Sequence, residues 1–359
     1  MIRFPVMIAA LTSAFLISSC FLKPPSFNEQ KWLETVENTD IKDLYAQNFR
    51  DGAFTNPWLV QKERSFADFL RWRFTKSPSY SEKAEDNKPK IIPDLMERIE
   101  ALDPAENFLV WIGHATFLFR IQGEYWLTDP IFTERALIPK RIIPPAIRAD
   151  DISHLRPLHI LLSHNHYDHL DKASLRDLPV HASFHVPKGL GEYVASLVKG
   201  PVSEMNWWDE KKMDSGATIT CLPAQHWSRR LFQGYNTTLW ASYMVSYAGK
   251  NIYFGGDSGY FKGYREIGNL FDNIDFALLP ITAYEPRWFM HYPHIDTREA
   301  IRAFEDLGAE YFIPTQWGTF KLGDNPPGLP PLDLRRNIDE MQLNPERFLI
   351  LDIGSLHRF

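Results

Sequence analysis

Cysteine is nearly absent from this chain: Cys20 and Cys221 are the only two in 359 residues. So few thiols exclude a disulfide-stapled scaffold and leave the fold to an apolar core. A basic excess is lacking too. Thirty-nine Lys and Arg against 45 Asp and Glu give a formal charge of −6, which offers no electrostatic footprint for nucleic acid. No internal repeat occurs, and no shift in composition marks a second large domain. An apolar run long enough to span a bilayer is also missing, since Val6 to Ile17 falls well short of the ~20 residues required. What is abundant is aromatic surface, with 11 Trp, 14 Tyr and 25 Phe, enough for one large core.

The N-terminus has the make-up of an export signal. Arg3 precedes the apolar run, which ends Leu16-Ile17-Ser18-Ser19-Cys20. That ending resembles the lipobox of bacterial lipoproteins and implies a signal peptide over 1–20, with Cys20 lipidated as the mature N-terminus. The expected location is a membrane-anchored lipoprotein outside the cytoplasm; an ordinary signal peptide is the alternative. A lipidated Cys20 leaves Cys221 as one thiol with no intrachain disulfide. A linker and helix are expected over 21–52, and a single hydrolase-sized domain over 53–359.

Periodicity places helices over 28–49 and 64–74, with an exposed loop at 77–90. Short strands follow at 108–114, 116–121 and 124–129, the last two joined by a Gln122-Gly123 turn. Further strands are expected at 158–162, 218–222, 239–245, 251–255, 276–281, 311–315 and 348–352, with helices at 190–198, 296–307 and 333–342. Asp296-Thr-Arg-Glu299 has capping-box spacing. Strands run in groups with helices outside them, which predicts an α/β fold of two packed sheets flanked by helices.

The chemistry is concentrated in Leu161-Leu-Ser-His-Asn-His-Tyr-Asp-His-Leu-Asp171. His164 and His166 are two apart, so both can point one way at the end of a strand. Asp168 and His169 follow where the chain turns toward a helix. Imidazole nitrogen and carboxylate oxygen at this spacing are the donor set of zinc and similar metals. His226 and Asp257 each end a further strand, the latter after two glycines that permit a tight turn.

Trp111-Ile-Gly-His-Ala-Thr116, Leu127-Thr-Asp-Pro-Ile-Phe132, the 163–171 corner, Gln225-His-Trp-Ser-Arg-Arg230, Gly256-Asp-Ser-Gly-Tyr260, Ala283-Tyr-Glu-Pro-Arg-Trp-Phe-Met290 and Trp317-Gly-Thr-Phe320 occur in this order. Together they resemble the N-acyl-phosphatidylethanolamine-hydrolysing phospholipase D family of the metallo-β-lactamase superfamily. The resemblance implies an αββα sandwich, two packed mixed sheets with a metal site of one or two Zn²⁺ at one edge. It implies that His164, His166 and His226 hold one metal, that Asp168 and His169 serve a second, and that Asp257 bridges them. The family's last histidine is Gln316 here, a poor ligand, so the second site is expected to be weak, remade or empty. Asp168, Asp257 and His294 would be catalytic; Trp227, Tyr284, Arg287 and His294 would meet substrate.

The implied reaction is hydrolysis of a phosphodiester by a metal-activated hydroxide, since a metal lowers the pKa of bound water to about 7. The expected substrate is a membrane phospholipid, cleaved to phosphatidic acid and N-acylethanolamine. Two alternatives stay open: another hydrolase of the superfamily acting on a phosphodiester or lactone, and a non-catalytic metal-binding lipoprotein.

Overall fold

The computed structural model describes residues 24–359 apart from 62, 76 and 77. The signal peptide expected over 1–20 and its Cys20 lie outside the described residues. Among those described, no helix is long and apolar enough to cross a membrane.

A two-stranded ribbon, β1 (Phe49–Arg50) and β2 (Ala53–Phe54), precedes two mixed sheets. The first sheet takes β3 (Phe108–Gly113), β4 (Thr116–Ile121), β5 (Glu124–Thr128), β6 (Leu158–Leu161), β7 (Ser183–Pro187) and β8 (Val202–Met205). The second takes β9 (Glu210–Lys212), β10 (Thr218–Leu222), β11 (Ser242–Tyr247), β12 (Lys250–Phe254), β13 (Phe276–Pro280) and β14 (Tyr311–Thr315). A last strand, β15 (Leu356–Arg358), returns to pair with β3. The orders are β15-β3-β4-β5-β6-β7-β8 and β14-β13-β12-β11-β10-β9. Each sheet is antiparallel through its hairpins and parallel where a crossover intervenes.

Strand β3 shows why the sheets sandwich. All its residues are buried, and they alternate between two apolar clusters: Leu109 and Trp111 face the second sheet, while Phe108, Val110 and Ile112 face the other way. A strand apolar on both faces must be covered twice. Its outer face is closed by the helices Leu95–Glu100 and Lys172–Asp177, through Leu95, Ile99 and Leu175. Thr297–Leu307 contributes Ile301, Phe304 and Leu307 to the large cluster built around the second sheet. Truncating a fully buried Trp such as Trp111 to Ala would cost about 3–5 kcal/mol.

The αββα architecture is the one expected, but several boundaries moved. The helix expected over 28–49 stops at Glu37. Asp40 then caps a separate 3-10 turn, Ile41–Tyr45, by accepting from the Lys42 N–H. This segment is built into the domain, since Trp32, Val36 and Leu44 join the main core. The 77–90 loop contains a helix, Glu82–Asp86, capped by Ser81. No strand forms at 348–352; Phe348 makes a single bridge to Phe312, and the last strand is β15, further along the chain. The 333–342 helix starts earlier, at Leu329, because Pro330 and Pro331 are tolerated in a first turn. The Asp296–Glu299 capping box is formed.

Candidate metal centre

Every loop that carries a candidate ligand leaves the sandwich at one edge, where β6, β10, β12 and β14 end and the β3–β4 turn lies. After β6, the 163–171 loop is fixed at both ends. Asp171 caps the following helix through the Ser174 N–H, worth about 1 kcal/mol. Arg230, buried and laid on the Tyr167 ring at 4.0 Å, donates to the carbonyls of Asn165 and Leu170, each at 2.7 Å. After β12, Gly256 is at φ +58°, and a Cβ there would fall 2.7 Å from the Ser163 Cβ. Only glycine lets Asp257 come this close to the histidine loop.

The proton positions follow from partners that can only accept. Asp129 accepts from the Ser163 N–H at 2.7 Å, from the Ser163 hydroxyl, and from His169 Nδ1 at 2.6 Å. The Ser163 oxygen is therefore free to accept from His164 Nδ1 at 2.9 Å. His226 Nδ1 donates to the Pro293 carbonyl at 3.0 Å. With each Nδ1 a donor, the Nε2 atoms of neutral His164 and His226 present lone pairs to the site, and Nε2 of His169 is the ring position a cation would occupy in place of a proton.

Two groups of donors result. His164 Nε2 and His226 Nε2 lie 2.8 and 3.1 Å from His166 Nδ1, and 3.8 and 3.6 Å from Asp257 Oδ2. His169 Nε2 lies 3.2 Å from Asp257 Oδ1 and 3.3 Å from Asp168 Oδ2, buried and without a hydrogen-bond partner. His114 completes the second group, its Nε2 3.0 Å from Asp168 Oδ2. Converging lone pairs beside two carboxylates suit a cation, so the donor set fits a divalent metal.

The electrostatics agree. Burial pushes His164 and His226 well below the ordinary histidine range, and His166 down to about 4, which keeps all three neutral and able to ligate. Burial opposes charge on His169 too, but Asp257, Asp168 and Asp129 outweigh it and hold its pKa well above the usual value. Asp168 and Asp257 stay well below the usual carboxylate range, because His169 overcomes their burial. This pocket of the protein favours positive charge.

Of the residues expected from sequence, His164, His166, Asp168, His169, His226 and Asp257 are brought together. His294 joins them, its ring 5.4 Å from His226 and its unpartnered Nδ1 3.9 Å from Asp257 Oδ2. Trp227 lies edge-on against His166 at 4.4 Å. Gln316 is present but not as a ligand. Its side-chain nitrogen donates to Asp257 Oδ1 at 2.6 Å and to the Gly256 carbonyl at 3.3 Å. Both partners accept only, so the amide NH₂ faces them.

Two expected substrate contacts are corrected. The Tyr284 hydroxyl donates to Asp333 at 2.6 Å, inside the protein. Arg287 is turned to the carboxyl groups of Glu299 at 2.9 Å, Glu29 at 3.4 Å and Asp296 at 3.6 Å. It reaches the centre only through a hydrogen bond to the His294 carbonyl. His291 stacks on Phe27 and Trp32, away from the metal donors.

Sequence reasoning gave no role to Asp129 or His114. Both stood in quoted motifs, and the signal that could have found His114 is the preceding Gly113. With Gly113 at φ +130° and His114 at φ +55°, the turn is strained as functional turns often are.

Residues 125–317 match a family described as Beta-lactamase superfamily domain. The chain is 34% identical to an N-acyl-phosphatidylethanolamine-hydrolyzing phospholipase D of Caenorhabditis elegans, over 69% of this chain and 75% of that protein. It is 35% identical to a mitochondrial enzyme so named from Saccharomyces cerevisiae, over 64% of this chain and 51% of the other. Among solved structures, the metallo hydrolase Igni18 of Ignicoccus hospitalis superposes with a TM-score of 0.55 at 21% identity, covering 71% of this chain and 98% of its own.

Proposed function

Because the chain belongs to the N-acyl-phosphatidylethanolamine-hydrolysing phospholipase D-like family of the metallo-β-lactamase superfamily, and is a metal-dependent hydrolase, we propose that it cleaves the head-group phosphodiester of an N-acylated phospholipid. The products are phosphatidic acid and an N-acylethanolamine. The observation that carries this reading is a cavity of about 490 Å³ opening beside the metal centre. Its wall is aromatic and apolar, with Phe66, Phe69, Trp72, Phe289 and Met290, and His294 and Trp227 stand at its inner end. A small polar substrate needs no such wall; an acyl-bearing one does.

Exposed apolar side chains flank the site. Phe66 is 73% exposed on the helix Phe66–Phe74, and Phe232 is 98% exposed in the loop next to the Asn165 ligand corner. Such residues suit contact with a bilayer. A lipid anchor on Cys20 would hold the domain there and raise its encounter rate with lipid.

Zinc is the metal we assign, because three imidazoles and a carboxylate form its usual set. When bound, it supplies a water deprotonated near neutral pH and offsets charge on the phosphoryl oxygens. The protein's own groups do the rest. Asp168, ionised and partly open to solvent, can accept a hydrogen bond from the water and orient it. His294 is kept neutral by burial and turns an unpartnered Nδ1 toward the centre, where it can hydrogen-bond a phosphoryl oxygen. Arg64, half-buried with Nη2 buried and unpartnered, lines the same cavity and can meet phosphate charge.

The test is mass spectrometry of products from N-acyl-phosphatidylethanolamine vesicles, with and without chelator. Chelator-sensitive release of both products supports the reading. Metal-loaded protein that releases neither would transfer the activity to another phosphodiester or ester.

A further inference from the structure

We propose that His114 is a metal ligand, giving the second metal position an imidazole that side chain 316 does not supply. The second donor group needs one. Without His114 it holds a single imidazole, His169, beside the carboxylates of Asp168 and Asp257. Gln316 cannot serve, since its NH₂ is directed at Asp257 Oδ1 and the Gly256 carbonyl.

His294 is on the wrong side. Asp257 divides the centre, with Oδ1 facing His169 and Oδ2 facing His164 and His226, and His294 approaches Oδ2. His291 is farther off, its Nδ1 bonded to the Arg287 carbonyl.

His114 approaches the right atom. The oxygen of Asp168 nearest His169 Nε2 is Oδ2, and it is this oxygen that lies 3.0 Å from His114 Nε2. A residue that merely oriented Asp168 would be expected at the other oxygen. Nε2 of His114, Oδ2 of Asp168 and Nε2 of His169 thus converge on one point, at separations compatible with ligands about 2.0–2.2 Å from a shared ion. The two rings meet edge-on at 5.2 Å, as the rings of the first group do at 4.7 and 5.0 Å. The ring is also fully buried, and the backbone that carries it is clamped in place. The His114 N–H donates to Thr319 Oγ1, and its carbonyl accepts from Trp111 Nε1 and from the Gln316 N–H. Gln316 therefore acts from behind, fixing the turn that presents His114 and donating to the bridging carboxylate.

The inference rests on the chain being a metal-dependent hydrolase and not on which lipid it cleaves. Its readout is metal content, so it can fail while the substrate reading stands, and the reverse. The experiment is equilibrium dialysis against buffered zinc, with elemental analysis of wild type, His114→Ala and Gln316→Ala. We expect wild type to bind a second zinc equivalent, Gln316→Ala to keep it, and His114→Ala to lose it, its affinity falling at least tenfold. Retention of both equivalents by His114→Ala, or loss of one by Gln316→Ala alone, would overturn the assignment. So would a wild type that binds only one. Should His114→Ala not fold, anomalous diffraction from zinc-loaded wild type decides the matter: a peak about 2.1 Å from His114 Nε2 supports it, and a peak out of bonding range refutes it.

Discussion

The side-chain amide of Gln316 donates to Oδ1 of Asp257 at 2.6 Å, the same oxygen that faces His169 at 3.2 Å. A ligating carboxylate is normally oriented by such a partner, and losing one of this kind costs 10–100-fold in affinity or rate in other metal sites. Gln316→Ala should therefore lower kcat by roughly that factor while the protein still binds metal at saturating zinc. An unchanged kcat would mean that Asp257 needs no donor.

Asp129 collects three donors from Ser163 and His169 in a fully buried position. Asp129→Asn keeps the shape but places an NH₂ group where only acceptors are wanted. Zinc affinity measured against a competing chelator should drop about 10–100-fold. Equal affinity in the variant would show that His169 is oriented by other contacts.

Phe66 and Phe69 stand exposed on one helix beside the cavity. The double change Phe66→Ser, Phe69→Ser should reduce turnover on lipid vesicles about tenfold or more. Hydrolysis of a short-chain, water-soluble phosphodiester should stay within about twofold, since neither residue belongs to the donor groups. Parallel losses on both substrates would argue against a bilayer-facing role.

Glu299 is the buried carboxylate nearest Arg287, and burial pushes its pKa up to about 8 even against that cation. A carboxyl whose folded pKa exceeds its unfolded value holds its proton more tightly when folded. Its contribution to stability is complete below about pH 4.5 and is lost as pH rises through about 8. Glu299→Gln removes the titrating group and keeps one acceptor oxygen, enough for Trp32 Nε1 or for the Asp296 N–H but not both. Between pH 5 and pH 8.5 the Tm of wild type should fall more steeply than that of Glu299→Gln. Parallel melting curves across that range would rule the linkage out.

Much of the centre was legible because its logic is local. His164, His166, Asp168 and His169 lie within six positions at the end of one strand, so their spacing already limits where they can point. His226 and Asp257 were legible for the same reason, each following an apolar strand and one of them two glycines. Two packed sheets followed from strands that run in groups with helices outside them, and the αββα arrangement from the family resemblance. Element ends were less legible, because caps such as Asp40 and pairings such as β15 with β3 depend on partners far along the chain.

The sequence alone determined the chemical identity of the donors, which follows from side-chain type and spacing, and it pointed to the sandwich through grouped strands and the family resemblance. Only the tertiary structure decided which distant residues complete the centre. His114 reaches Asp168 across 54 positions, and Asp129 reaches His169 across 40. The same folding took Arg287 and Tyr284 out of the cavity. A guanidinium taken out of water needs acceptors for its N–H groups and a buried hydroxyl needs one for its own, and the fold supplied those partners away from the cavity.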